Sequence, residues 1–237
     1  MDQLQLDRKK IFDALLFVLG FLVVCWAIFL INDTFSLHLR QYGNKPRKAI
    51  GLIGIFTSPL LHGDTNHILN NTLSFFCLAT LLFYFYRKIA PKVFLFLYFM
   101  AGILLWLIGS GGNHIGASGV IYGLASFLFL GGILNDNTVL TRVSLVVVFL
   151  YGSIVWGVLP IDPKVSWEGH LGGLIAGIIL AFVFKSKAPK RRPYQYEIDE
   201  IIEAKEAAKR TEEDHSVSQS IDIKYTYIPP PGEKDHE

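Results

Sequence analysis

The chain has 237 residues, of which 51% are hydrophobic and only 18% charged, and its mean hydropathy is +0.40. Soluble domains carry roughly 25% charged residues. The apolar surplus, gathered into long runs, therefore excludes an ordinary soluble globule and indicates a membrane protein. A net charge of +2 is too small to drive association with nucleic acid, and no nucleic-acid partner is expected.

A membrane-crossing helix needs about 20 mainly apolar residues. The first run, Ile11–Ile31, follows Arg8, Lys9 and Lys10. It is long for a signal-peptide core and no Ala-x-Ala-type site follows it, so it reads as a membrane anchor. The second span, His67–Tyr86, is entered through "HGDTNHILNN", and the third is Val93–Ile108. The fourth, Gly116–Leu134, opens with "GASG". The fifth is Val143–Leu159, and the sixth, Trp167–Phe184, opens with "WEGHLGG". These spans define an all-α, polytopic membrane domain over residues 1–184. Cys25 and Cys77 sit inside apolar runs and read as small buried hydrophobes, not as a disulfide or thiolate metal site.

Residues 185–237 are of another kind. Lys185–Arg192 is basic and suits anionic lipid headgroups. Glu197–Lys209 has helix-forming composition. The polar stretch Thr211–Glu237 has the composition of a disordered tail.

Lys and Arg in the short loops favour both termini on the cytoplasmic side. The expected location is a bacterial inner (plasma) membrane. That arrangement leaves only Arg40, Lys45, Arg47, Lys48 and Lys164 outside. The cluster Arg40–Lys48 opposes the trend and is expected at the membrane interface. In this topology the second, fourth and sixth helices all begin at the outer face. Three polar helix mouths then share one depth, and intramembrane polar groups are functional candidates by default.

Gly169, Gly173 and Gly177 recur at helical spacing, and Gly119 and Gly123 form a similar face one turn below Ser118. Small residues let helix backbones approach closely. If the two faces meet, Ser118 and His170 stand together at the top of the contact. A serine beside a neutral imidazole is an activated nucleophile. Tyr122, four residues after Ser118, shares its face and is placed to pack on His170. His67 and Asn71 share a face of the second helix and are placed to donate to an oxyanion. The Ser118 backbone N–H, at a helix start, adds a further donor. Taken singly, each group also has a plain structural reading, as interfacial imidazole, packing glycine, core aromatic or polar glue. A metal held by His62, His67, His114 and His170 is the alternative chemistry, but no carboxylate spacing supports it. No cofactor is expected. Asp64 and Glu168 read as solvated loop or helix-start charges. No aspartate is placed to complete a triad, and Gly-x-Ser-Gly differs from the Gly-x-Ser-x-Gly elbow of soluble hydrolases. A serine hydrolase here would run on a Ser–His dyad.

The motifs "HGDTNHILNN", "GASGVIYG" and "GHLGGLIAG", in that order on helices two, four and six, resemble the rhomboid family of intramembrane serine proteases. The likeness covers residues 11–184 by topology. It implies a six-helix rhomboid-like bundle, with Ser118 as nucleophile and His170 as general base and acid. His67 and Asn71 match its oxyanion-side residues, Gly116 the glycine of its Gly-x-Ser motif, and Tyr122 the aromatic residue packed on the histidine. It further implies transmembrane protein substrates cut in or beside their spanning helix, with the fifth helix and its outside loop as lateral gate. The chain departs from many bacterial members in the loop Asn32–Leu61, which has no Trp, and in carrying Ser58 where many have a further histidine. The competing class is a catalytically silent adaptor or chaperone on the same scaffold, which would have no need of Ser118 and His170 together.

Overall fold

The computed structural model describes residues 3–162, 165–189, 191 and 193–220. The described chain is helical, and its one strand-like pairing is an isolated bridge between Asn44 and His114. It falls into two units, residues 1–191 and 192–237.

In the first unit, helix α1 runs Gln3–Phe35, about 50 Å at 1.5 Å per residue. Ala14, Val18, Leu22, Cys25 and Phe29 form its buried stripe, while Phe12, Leu16 and Val23 face outward. Such exposed apolar faces suit lipid. The stripe packs on α3, Thr65–Phe85. Phe17 stacks on Phe83 and Phe21 on Phe75, and Phe94 meets both α1 rings edge-on. Asp64 caps α3 by accepting the His67 backbone N–H at 2.9 Å. Helix α4, Ala90–Ile108, starts with Pro91 in its first turn, where a missing N–H costs nothing.

Helix α5, Ser118–Leu134, is the centre of the bundle. It packs on α3, on α4, on α6 (Thr138–Tyr151) and on α7 (Trp167–Val183). Its contact with α7 is backbone to backbone. A methyl added at Gly173 would lie 1.9 Å from the Gly119 carbonyl oxygen, and one at Gly177 would lie 2.2 Å from that of Gly123. The two glycine faces expected from spacing therefore meet. Helices α1, α3 and α4 are long and apolar enough to cross a membrane, as is Thr138–Val158, whereas α5 and α7 have 17 residues each, about 25 Å.

The fifth span differs from a continuous helix over Val143–Leu159. It leaves α-helical geometry after Tyr151 and continues as a 3-10 segment, Gly152–Val158. Two of its carbonyls, Ile154 and Gly157, accept from side chains of α5 and α7, and Pro160, just beyond the segment, has no N–H with which to continue a helix.

The loop between α1 and α3 is built from short helical pieces, including α2, Ile53–Thr57. Asn44 anchors it. Fully buried, Asn44 donates through Nδ2 to the Gly102 carbonyl at 2.8 Å and pairs backbone to backbone with His114. The Trp106 indole N–H closes the other end on the Lys48 carbonyl. Ile50, Ile53 and Phe56 remain exposed. Behind the loop, His62 is buried with neither ring nitrogen bonded to a described group. Burial first, and then the neighbouring His67, push its pKa down to about 4, and the Leu60 backbone opposes this weakly.

The second unit contains α8, Gln195–Ser220, longer than the helix expected over Glu197–Lys209. Ion pairs one turn apart, Glu206–Arg210 and Lys209–Glu213, support its polar surface. Of the tail expected to be disordered, the stretch from 221 lies outside the described residues.

Two measurements check this packing. Gly173→Val is expected to destabilise the protein by about 2–3 kcal/mol through overpacking, seen as a lowered Tm in detergent. Gly20→Ala, where an added methyl meets nothing within 4 Å, is expected to hold or raise it. The neutral His62 gives a pH signature. The unfolded chain takes up a proton as pH falls through 6.5, while the folded one resists until about 4. Stability is thus full above pH 6.5 and declines between 6.5 and 4, by at most about 1.4 kcal/mol per pH unit. His62→Gln should flatten that part of the Tm–pH curve.

Candidate active site

A cavity of about 960 Å³ opens among the starting ends of α3, α5 and α7 and the loops beside them. Ser118, His170, His67 and Asn71 all line it. Gly116 and Tyr122 do not line it, but each packs against residues that do, Gly116 against His67 and Asn71 and Tyr122 against His170.

Ser118 is the first residue of α5 and is half-buried. First-turn N–H groups of a helix have no partner within the helix, so they point their positive ends at the helix mouth. The turn into α5 depends on Gly116, at φ +109°. A methyl there would meet His67 Nε2 at 2.4 Å and Asn71 Nδ2 at 3.3 Å. The glycine thus lets the α5 turn lie directly against the polar face of α3. His67 Nδ1 accepts the Gly63 N–H at 3.4 Å, so in the neutral ring the proton sits on Nε2. Asn71 is buried and its Nδ2 bonds to no described group. Two donors, His67 Nε2–H and Asn71 Nδ2–H, therefore face the same glycine turn.

His170 lies in the first turn of α7 and is 8% exposed. Its Nδ1 is 2.9 Å from the Gly157 carbonyl oxygen. A carbonyl can only accept, so Nδ1 carries the proton and Nε2 is left as the basic nitrogen. The Tyr122 ring stacks flat on the imidazole, with centroids 4.0 Å apart and planes within 10°. The Tyr122 hydroxyl donates to the Ile154 carbonyl at 2.8 Å. Both carbonyls belong to the 3-10 segment. Ser118 and His170 are not hydrogen-bonded to each other in this structure, although the residues that follow and precede them touch: a methyl on Gly119 would lie 3.2 Å from the Gly169 carbonyl. Such catalytic bonds are often long before substrate binds.

The cavity rim is tied down by groups that sequence reading treated differently. Glu168 is not a solvated charge. It is 5% exposed, and its carboxylate accepts from the backbone N–H and hydroxyl of Ser110. The partner lies 58 positions away, so no local signal marks it. Asp64, in contrast, is the exposed helix-start charge expected. His114 Nε2–H donates to the Gly111 carbonyl, and Nδ1 accepts the Ser166 hydroxyl at 2.6 Å. Ser166 in turn caps α7 by accepting the Gly169 N–H. His114 therefore fastens the loop 109–115 to the start of the helix that carries His170. His62 packs its ring 5.1 Å from that of His67, outside the cavity lining. Among the described residues, no three His, Cys, Asp or Glu side chains converge as metal ligands would.

Residues 50–187 match the model of the Rhomboid domain. The uncharacterized protein Rv1337 of Mycobacterium tuberculosis is 32% identical over 184 residues, covering 74% of this chain and 76% of that protein. The uncharacterized protein ML1171 of Mycobacterium leprae is 30% identical, covering 74% and 72%. A Bacillus subtilis protein named as a candidate rhomboid protease, YdcA, is 29% identical over 147 residues, covering 58% and 69%. With its apolar helical bundle and this match across more than half its length, the chain is an integral membrane protein that belongs to the rhomboid domain family.

Proposed function

We propose that the protein is an intramembrane serine endopeptidase that cleaves membrane proteins in or beside a transmembrane segment by a Ser118–His170 dyad. One observation carries this reading above the others. His170 is held by a carbonyl on Nδ1 and by a ring on its face, and it lines the same cavity as a serine at a helix mouth.

In the reaction, Ser118 Oγ attacks the substrate carbonyl carbon as His170 Nε2 takes the hydroxyl proton. The carbonyl oxygen becomes an oxyanion, stabilised by His67 Nε2–H, Asn71 Nδ2–H and the first backbone N–H groups of α5. As the C–N bond breaks, His170 returns the proton to the leaving amine, and Ser118 keeps the acyl group as an ester. Water, deprotonated by His170, then hydrolyses the ester and regenerates the hydroxyl. The orienting acid of a triad is absent, and a neutral carbonyl stands in its place.

The lengths of α5 and α7 support a site below the outer surface. Each spans about 25 Å against a hydrocarbon core of about 30 Å. With their far ends at the cytoplasmic boundary, Ser118 and His170 begin inside the outer leaflet, and the polar cavity brings water to them. The loop basic residues favour both termini in the cytoplasm, and the proposed location is a bacterial inner membrane, with Lys185–Arg192 against anionic headgroups. The fifth span is the proposed side entrance for a substrate helix.

Ser118→Ala is expected to abolish cleavage of a model transmembrane substrate in detergent while the Tm stays within a few degrees of wild type; retained turnover would reject the nucleophile. A fluorophosphonate should label Ser118, and His170→Ala should suppress labelling. Undiminished labelling in that variant would remove His170 as base. A folded wild type that neither cuts nor labels would favour the silent adaptor. For the oxyanion donors, Asn71→Ala is expected to lower kcat by about 10²-fold with KM little changed.

A further inference from the structure

The catalytic reading uses the carbonyl on His170 Nδ1 but gives no reason for the glycine that carries it. The fifth span abandons α-helical geometry after Tyr151 and aims two consecutive-turn carbonyls, Ile154 and Gly157, at a stacked pair of side chains from two other helices. Helix α6 itself packs chiefly on α5, and it is this 3-10 end that meets α7. A 3-10 turn is common at a helix end, but a run of seven residues, Gly152–Val158, is unusually long.

Gly157 is the residue at which this geometry closes. A methyl there would lie 2.0 Å from the Tyr122 hydroxyl and 3.1 Å from His170 Nδ1. Any side chain at 157 would therefore separate the carbonyl from the imidazole or unseat the tyrosine. No backbone strain explains the glycine, because it lies within regular 3-10 geometry. The requirement is for space.

We propose that Gly157 is a positioning residue for His170: its carbonyl fixes the Nδ1–H tautomer, and its bare Cα lets Tyr122 and His170 close on the fifth span. This deepens the catalytic reading and rests on it. The Gly157 carbonyl does for the imidazole what a triad carboxylate does, selecting the tautomer with a basic Nε2. The Ile154 carbonyl secures the ring that covers it. Both acceptors sit on one short segment, so a displacement of that segment releases the base and its cover together. The orientation of His170 is thereby tied to the position of the fifth span.

The test uses the full-length protein in detergent, with fluorophosphonate as probe. Gly157→Ala is expected to slow Ser118 labelling and to lower kcat by at least about tenfold, with KM changed less than twofold. In protein labelled with 15N-histidine, with the His170 signal assigned by His170→Gln, the variant should lose the Nδ1–H pattern seen in wild type. Gly157→Ala with Tyr122→Phe, which removes the clashing hydroxyl, should recover part of the rate. A folded Gly157→Ala protein with wild-type labelling and an unchanged tautomer pattern would overturn the proposal. If Gly157→Ala does not fold, α-hydroxyvaline at position 158 turns the 157–158 amide into an ester and weakens the same carbonyl without adding bulk. A lower kcat and a shifted His170 signal would then support the role, and neither changing would overturn it. A wild type that never labels would defeat the dyad itself, while its 15N pattern would still read separately whether Nδ1 holds the proton.

Discussion

Gly173 and Gly177 of α7 lie so near α5 that a methyl at either would reach within about 2 Å of an α5 carbonyl oxygen. Apolar side chains cannot produce this approach in a membrane, because lipid tails satisfy them as well as another helix does. Two bare backbones can. The contact sets the separation and axial register of α5 and α7, and register decides which residues share a level at the top. Ser118 is one position before Gly119, and His170 one position after Gly169, the pair whose backbones touch first. A slip of one turn, about 5.4 Å, would place serine and histidine at different depths. The chemistry proposed for this cavity thus depends on glycines that take no part in it.

Around that axis, the remaining elements hold the cavity open and its walls in place. The aromatic cluster of Phe17, Phe21, Phe75, Phe83 and Phe94 fixes α1 and α4 against α3, and so sets the height of His67 and Asn71. Gly116 then brings the α5 turn against those two side chains. On the far wall, Glu168 with Ser110 and Ser166 with His114 attach the glycine-rich loop to the first turn of α7. Polar groups concentrated at one end of an apolar bundle are costly unless satisfied. Here Glu168, Ser166 and His114 have partners on other elements, whereas Asn71 Nδ2 and both His62 ring nitrogens bond to no described group.

Much of this was legible in the sequence. Long apolar runs mark the spans, the recurrence of Gly169, Gly173 and Gly177 marks a close helix contact, and three polar helix mouths mark one end of the bundle. The groups singled out there, Ser118, His170, His67, Asn71, Gly116 and Tyr122, gather around one cavity. What was hidden is mostly backbone or long-range. The Gly157 carbonyl carries no residue type by which to notice it. Glu168 reads as a solvated charge because helix starts favour acids, and only a serine 58 positions earlier reveals its burial. The α1–α3 loop has no regular period, since Asn44 finds its partners on α4 and at His114. The 3-10 break in the fifth span follows an apolar pattern that fits an α-helix equally well.

The choice of a carbonyl rather than a carboxylate to hold His170 has a physical logic in this setting. A carboxylate behind the imidazole would have to be buried among the apolar faces of three helices, where an ionised group without full hydrogen bonding costs several kcal/mol. Protonation would relieve that cost and would remove the charge that gave the group its use. A peptide carbonyl has a fixed dipole, no titration and no side-chain entropy to lose. The last carbonyls of a helix have no partner in a following turn. Gly157 stands at the end of the 3-10 segment Gly152–Val158, and Pro160, three residues on, has no N–H to offer it. The carbonyl left free at this helix end is thus what the proposed dyad has in place of an acid, and the space at Gly157 lets the imidazole reach it.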